Sequence, residues 1–103
     1  MTTDPRFILS DVAPNVVDAF VDYHRENPHI YEAFKRYSQD LKDAGRSHFG
    51  AKAIMERIRF DTALAGNDEF KINNSMASSY VRLICWEHPE FVGFFETRTR
   101  RAA

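Results

Sequence analysis

Ile30, Phe34, Tyr37, Leu41 and Ala44 recur at offsets of four, three, four and three, and Gly45 follows at once. That spacing puts five apolar side chains on one side of a 3.6-residue helix. A glycine just beyond the last of them is a common helix stop. The chain then runs Gly45-Arg46-Ser47-His48-Phe49-Gly50 into a second apolar-periodic segment, Ala51 to Arg59, that also carries basic residues. One amphipathic helix ends and another starts within a few residues, so the two must share a core. The feature predicts a mainly α domain.

The flanking sequence extends this pattern. Pro14 suits an early helical position, where its missing N–H would have no partner anyway. Val16, Phe20 and Tyr23 recur at helical spacing, with Val17, Val21 and His24 alongside, predicting a helix over about 14–26. Asn27 can cap and Pro28 can open the helix over about 29–44, which Tyr31 and Ala33 widen and a Glu32–Arg36 pair supports. The segment after Gly45 reads in two ways. Either Ser47 caps a helix over roughly 48–64, or residues 47–49 are extended and the helix starts at Gly50. In both, Ala51, Ile54, Met55, Ile58 and Thr62 face inward, while Lys52, Glu56, Arg59 and Ala63 occupy another side. Arg57 can pair with Asp61.

Gly66-Asn67-Asp68 signals a loop, and Phe70-Lys71-Ile72 alternates like a short strand. Asn73, Asn74 or Ser75 can cap a helix over about 75–87 whose inner face is Met76, Ala77, Tyr80, Val81, Ile84 and Cys85. Ser75, Ser78, Ser79 and Arg82 make its polar side. Pro89 limits continuation. Residues 91–95 are then expected to be extended, pairing with 70–72 or with the N-terminal arm, and Gly93 permits a bulge. The chain divides into an arm (1–13) pinned by Phe7, Ile8 and Leu9, a single helical core (14–96) and a basic tail (97–103). This order of helices with minor short strands predicts a small winged helix-turn-helix-like domain.

A chain of 103 residues with nine Phe and 44% hydrophobic residues can fill one core. Net charge is −1, unlike a strongly basic nucleic-acid protein. The charge is uneven: residues 1–45 sum to −3 and residues 46–103 to +2, so a surface for a polyanion belongs in the second half. Cys85 is the sole cysteine. It has no intrachain disulfide partner, and Leu83, Ile84 and Trp86 around it favour a buried structural thiol. No signal peptide and no run of eighteen apolar residues is present, and the expected location is the cytoplasm.

The sequence points to binding rather than catalysis. Helix 75–87 is the candidate recognition helix. Its capping amides can meet a phosphate, and Ser75, Ser78, Ser79 and Arg82 can reach a groove. Lys52 and Arg59 on the preceding helix and Arg98, Arg100 and Arg101 in the tail would add salt-sensitive phosphate contacts. Double-stranded DNA is the expected partner. His24, His29, His48 and His88 form no metal-ligand spacing, and acid pairs such as Asp40/Asp43 and Asp68/Glu69 carry no specified chemistry. No phosphate loop, nucleophile elbow or kinase signature occurs. Neither enzyme activity nor a cofactor or metal is expected. Phe91, Phe94 and Phe95 would project from both sides of an extended segment, so the N-terminal arm or a second subunit must cover one side, and the second case predicts a homodimer. Asp18, Asp22, Asp40 and Asp43 offer a different surface, for a protein partner.

The runs Asn27–Phe34 (NPHIYEAF), His48–Arg59 (HFGAKAIMERIR) and Phe70–Asn74 (FKINN) resemble small uncharacterised proteins encoded by phages and prophages, over about residues 27–98. The resemblance implies a regulator, a recombination accessory or an inhibitor of a host factor. It therefore accommodates DNA binding, and protein binding without DNA contact as the alternative.

Overall fold

The computed structural model describes residues 8–66 and 74–96, with the side chains of Asn74, Ser75 and Glu96 outside the description. Four helices follow in order: α1 (Pro14–Glu26), α2 (Pro28–Asp43), α3 (Ala51–Leu64) and α4 (Asn74–Glu87). A two-residue strand β1 (Phe49–Gly50) precedes α3, and a 3₁₀ turn (Pro89–Phe91) leads to β2 (Phe95–Glu96). The domain is mainly α.

Local chemistry explains the boundaries. Pro14 and Pro28 each open a helix, where a missing N–H costs nothing. Asn27 lies between them without a side-chain cap bond to α2; its Nδ2 donates instead to the Tyr23 carbonyl at 3.0 Å, closing the end of α1. At the end of α2, Gly45 takes a φ of 95°. The Gly45 N–H donates to the Lys42 carbonyl and the Arg46 N–H to the Leu41 carbonyl, both at 3.0 Å. This is the Schellman arrangement, and the positive φ explains the glycine. The extended alternative holds for the next segment: Phe49–Gly50 is strand and the helix begins at Ala51, one residue later than expected. Gly50 is the N-cap and no side chain caps the helix, so Ser47 does not fill that role.

The helices close on a single core. α1 packs on α2 and α4, and α3 packs on α2 and α4. Phe20, Phe34, Tyr80 and Ile84 are fully buried, and Leu9 and Ile30 nearly so. Each such aliphatic or Phe side chain contributes about 1.5–3 kcal/mol of transfer free energy. Tyr80 lies among aromatic rings, edge-on to Phe20 at 4.7 Å and 6.2 Å from both Tyr31 and Phe34. Leu9 anchors the N-terminal arm in this core, with Ile8 and Val12 packed beside it.

The end of the domain departs from expectation. Residues 91–95 are not one extended segment. Val92 has φ −60° and ψ 126°, Gly93 has φ 84°, and the Phe94 N–H donates to the Phe91 carbonyl at 2.9 Å. These are the marks of a type II turn, whose third position needs a positive φ and hence a glycine. The turn sends Val92 outward and brings Phe91, Phe94 and Phe95 to one side. Phe95 stacks on Phe34 at 5.2 Å, and Phe94 meets Phe95 edge-on at 5.2 Å. β2 pairs in parallel with β1, Phe49 opposite Phe95 and Gly50 opposite Glu96. Its partner is thus the strand before α3, not the arm; the expected strand 70–72 lies outside the described residues.

Candidate functional site

α4 buries the inner face that its sequence implies, with one departure on the polar side. Met76, Tyr80, Leu83 and Ile84 are buried, with Ala77, Val81 and Cys85 partly so. Ser79 is 2% exposed. It belongs to the packed side, and its place among groove-facing residues is corrected accordingly; a serine is small enough to sit where helices cross closely. Ser78 is exposed, and the Ser75 side chain lies outside the description.

Arg82 is on the outer side of α4 but is engaged. Its Nη1 donates to Asp11 Oδ1 at 2.6 Å and its Nη2 to Asp11 Oδ2 at 2.7 Å, a two-pronged contact across 71 positions of sequence. The guanidinium holds the Asp11 carboxyl below the usual carboxylate range. The acid comes from the N-terminal arm. Glu87 accepts a hydrogen bond from the Tyr31 hydroxyl at 2.7 Å. Burial first, and then this contact, push the Tyr31 phenol far up.

α3 carries the less encumbered cations. Lys52 and Arg59, seven residues apart, are exposed on one side of the helix. Arg57 donates to Asp61 at 3.2 Å, as its spacing implies. Tyr37 also donates to Asp61, and that bond followed by Arg57 lowers the Asp61 pKa. Arg36 lies over the Tyr37 ring at 4.9 Å, with Arg57 near it at 5.6 Å. Glu32 pairs with Lys35 at 3.3 Å, whereas an Arg36 partner was expected. Between Lys52 and Arg57 around α3 lie two large exposed apolar side chains, Phe60 (59%) and Leu64 (72%). Neither belongs to the inward face that the apolar spacing predicts. Their i,i+4 spacing opposite Ile54 and Ile58 is the signal that could have revealed a second apolar side. Lys52 and Arg59 lie on α3 and Ser78 and Arg82 on α4, and among the described residues no hydrogen bond or ion pair links the two pairs. Arg98, Arg100 and Arg101 lie outside the described residues.

The remaining chemistry is sparse. A recess of about 280 Å³ is lined by Glu32, Lys35, Arg36, Gln39, His88 and Phe91. Its polar groups are turned to neighbours, Lys35 to Glu32 and His88 to Glu90 at 3.9 Å. Among the described residues no group of three or more His, Cys, Asp or Glu could hold a metal ion, and no helix is long and apolar enough to cross a membrane. His24 stacks on Phe20 at 5.6 Å, and burial pushes its pKa down. The Cys85 Sγ donates weakly to the Phe91 carbonyl at 3.5 Å, and burial pushes this thiol up. Phe94 and Phe95 are 3% and 7% exposed. Both are satisfied within one copy, so the aromatic argument for a homodimer falls. No known protein family, curated protein or solved structure matches the chain.

Proposed function

We propose that the protein is a small DNA-binding module of regulatory or accessory type, organised like a winged helix-turn-helix domain. In this reading α2 supports the pair α3 and α4, and α4 is presented to the groove. The observation that carries it is the strand pair: β1 directly precedes α3 and pairs with β2, which follows α4. The two helices are thereby bracketed and held as one unit, with a rudimentary strand where a wing would be. The joint of residues 65–73 is longer than the usual three or four, a departure that leaves the angle between α3 and α4 to their packing.

Fold order alone does not specify function; the contact chemistry rests on side chains. Ser78 and Arg82 are the groove-facing groups of α4, and Lys52 and Arg59 are exposed cations with no ion-pair partner among the described residues. The test is binding to labelled mixed-sequence duplex DNA across a salt series, with Arg82→Ala and Lys52→Ala/Arg59→Ala beside the wild type. Micromolar binding is expected, with a salt slope that falls by about one for each phosphate-contacting cation removed. Absence of binding at low salt, by the wild type and by a variant in which Arg82 is released from Asp11, defeats this reading.

Phe60 and Leu64 favour a second reading. Two exposed apolar side chains one turn apart, flanked by Lys52, Arg57 and Arg59, suit a protein partner of acidic character. In that case the module is an adaptor or inhibitor, and Phe60→Ser/Leu64→Ser abolishes partner binding while leaving any DNA affinity in place.

A further inference from the structure

We propose that Asp11 is a built-in competitor for the DNA contact of Arg82, so that the N-terminal arm holds the candidate recognition helix in a restrained state. The inference rests on the DNA reading of α4. Its basis is the geometry of the contact. Arg82 presents Nη1 and Nη2 end-on, and each meets one carboxylate oxygen, at 2.6 and 2.7 Å. A phosphate or a guanine edge is recognised by paired guanidinium donors in the same way. One guanidinium end cannot serve both, so a DNA contact through this fork requires the carboxylate to leave. Asp11 also carries the wrong charge for a surface that approaches phosphates.

The arm is built to hold the acid there. Asp11 is exposed but sits in a turn closed by the Val12 N–H donating to the Leu9 carbonyl at 2.9 Å. Leu9 on one side is 1% exposed and Val12 on the other is partly buried against the core. The anchors fix the carboxylate beside α4, so little freedom is lost in forming the pair. The contact is also displaceable. The Arg82 and Asp11 side chains are 41% and 66% exposed among the described residues, so the pair is open to an incoming anion, and exposed ion pairs are individually weak. The arrangement is therefore a threshold rather than a lock.

The test is anisotropy titration of labelled duplex at low salt with four full-length proteins: wild type, Asp11→Asn, Arg82→Ala and the double variant. Thermal melts by circular dichroism check that each is folded; Asp11→Ala replaces Asp11→Asn if the amide keeps the contact. Asp11→Asn is expected to tighten binding about three- to fivefold, the scale set by release of an exposed pair, and Arg82→Ala to weaken it. The double variant is expected to match Arg82→Ala, because Asp11 acts through that guanidinium. Binding by Asp11→Asn alone, with none by the wild type, supports the clasp equally. If the wild type binds but Asp11→Asn binds no tighter, the clasp is wrong and the DNA reading stands. If the gain persists in the double variant, Asp11 acts only as bulk charge and the clasp is wrong. Absence of binding by all four removes both the clasp and the function beneath it.

Discussion

Tyr80 offers a sharp test of the core, because its ring and its hydroxyl make opposite contributions. The side chain is fully buried, and its hydroxyl has no hydrogen-bond partner among the described residues. The ring meets Phe20, His24, Tyr31 and Phe34 at centroid distances of 4.7 to 6.2 Å. Burial pushes the phenol far up, with no cation acting the other way. A buried polar group without a partner costs about 1–3 kcal/mol. Tyr80→Phe removes that group and keeps every ring contact, so it is expected to stabilise by ~1 kcal/mol. In a domain of this size that raises Tm by about 4–8 °C. Tyr80→Ala removes the ring as well and is expected to lose ~3–5 kcal/mol, a large part of the 5–15 kcal/mol typical of a whole domain. Urea denaturation followed by circular dichroism reads both, with an unchanged m-value showing that the unfolded state is comparable. A loss of ~1 kcal/mol or more in Tyr80→Phe would refute the reasoning, since the hydroxyl would then be making a bond worth keeping.

Three further outcomes follow from named contacts. The folded-state pKa of His24 is depressed mainly by burial, against the attraction of Glu87 and Glu32, so below about pH 6.5 the unfolded chain binds more protons and stability falls. The urea midpoint should drop between pH 7.5 and 5.5, and His24→Phe should remove that drop; a midpoint independent of pH in the wild type contradicts the burial. Gly45→Ala forces a side chain into a positive φ with no steric neighbour within 4 Å, so it should destabilise by the backbone strain alone, ~1–2 kcal/mol in the same assay; a neutral result would place the strain elsewhere. Phe60→Ser/Leu64→Ser truncates exposed groups and should change stability by no more than ~0.5 kcal/mol per site. A larger loss means that the two side chains are covered in the folded protein, and the docking reading then fails.

The elements that depend on neighbours in sequence were legible from the sequence. The bounds of α1 agree at both ends, because a proline start and an apolar period of 3.6 are local properties. The end of α2 was legible for the same reason: Gly45 is the residue whose backbone tolerates the turn that satisfies the last carbonyls. The inner faces of α2, α3 and α4 also follow from spacing, and Tyr31 and Phe34 are buried where that spacing puts them. Of the candidate site, the exposure of Lys52, Arg59 and Ser78 could be anticipated, since each lies opposite a strong apolar stripe.

What required tertiary structure was sidedness at small residues and partnership over distance. Ser79 is buried, and a serine fits a packed side as readily as it fits a wet surface; its identity carries no preference. Arg82 and Asp11 stand 71 positions apart, and Tyr31 and Glu87 stand 56 apart. Charge tells that each has eligible partners but not which one the packing delivers. The three phenylalanines at the end of the domain make the same point. As an extended segment they needed the N-terminal arm or a second subunit to cover one side, whereas one type II turn at Val92-Gly93 sets all three against α2 and leaves β2 beside β1. The sequence determined that this chain forms amphipathic helices bounded by proline and glycine, with a surplus of aromatic residues. The tertiary structure decided which sides of those helices remain for a partner, because burial is a property of surfaces that meet only after folding.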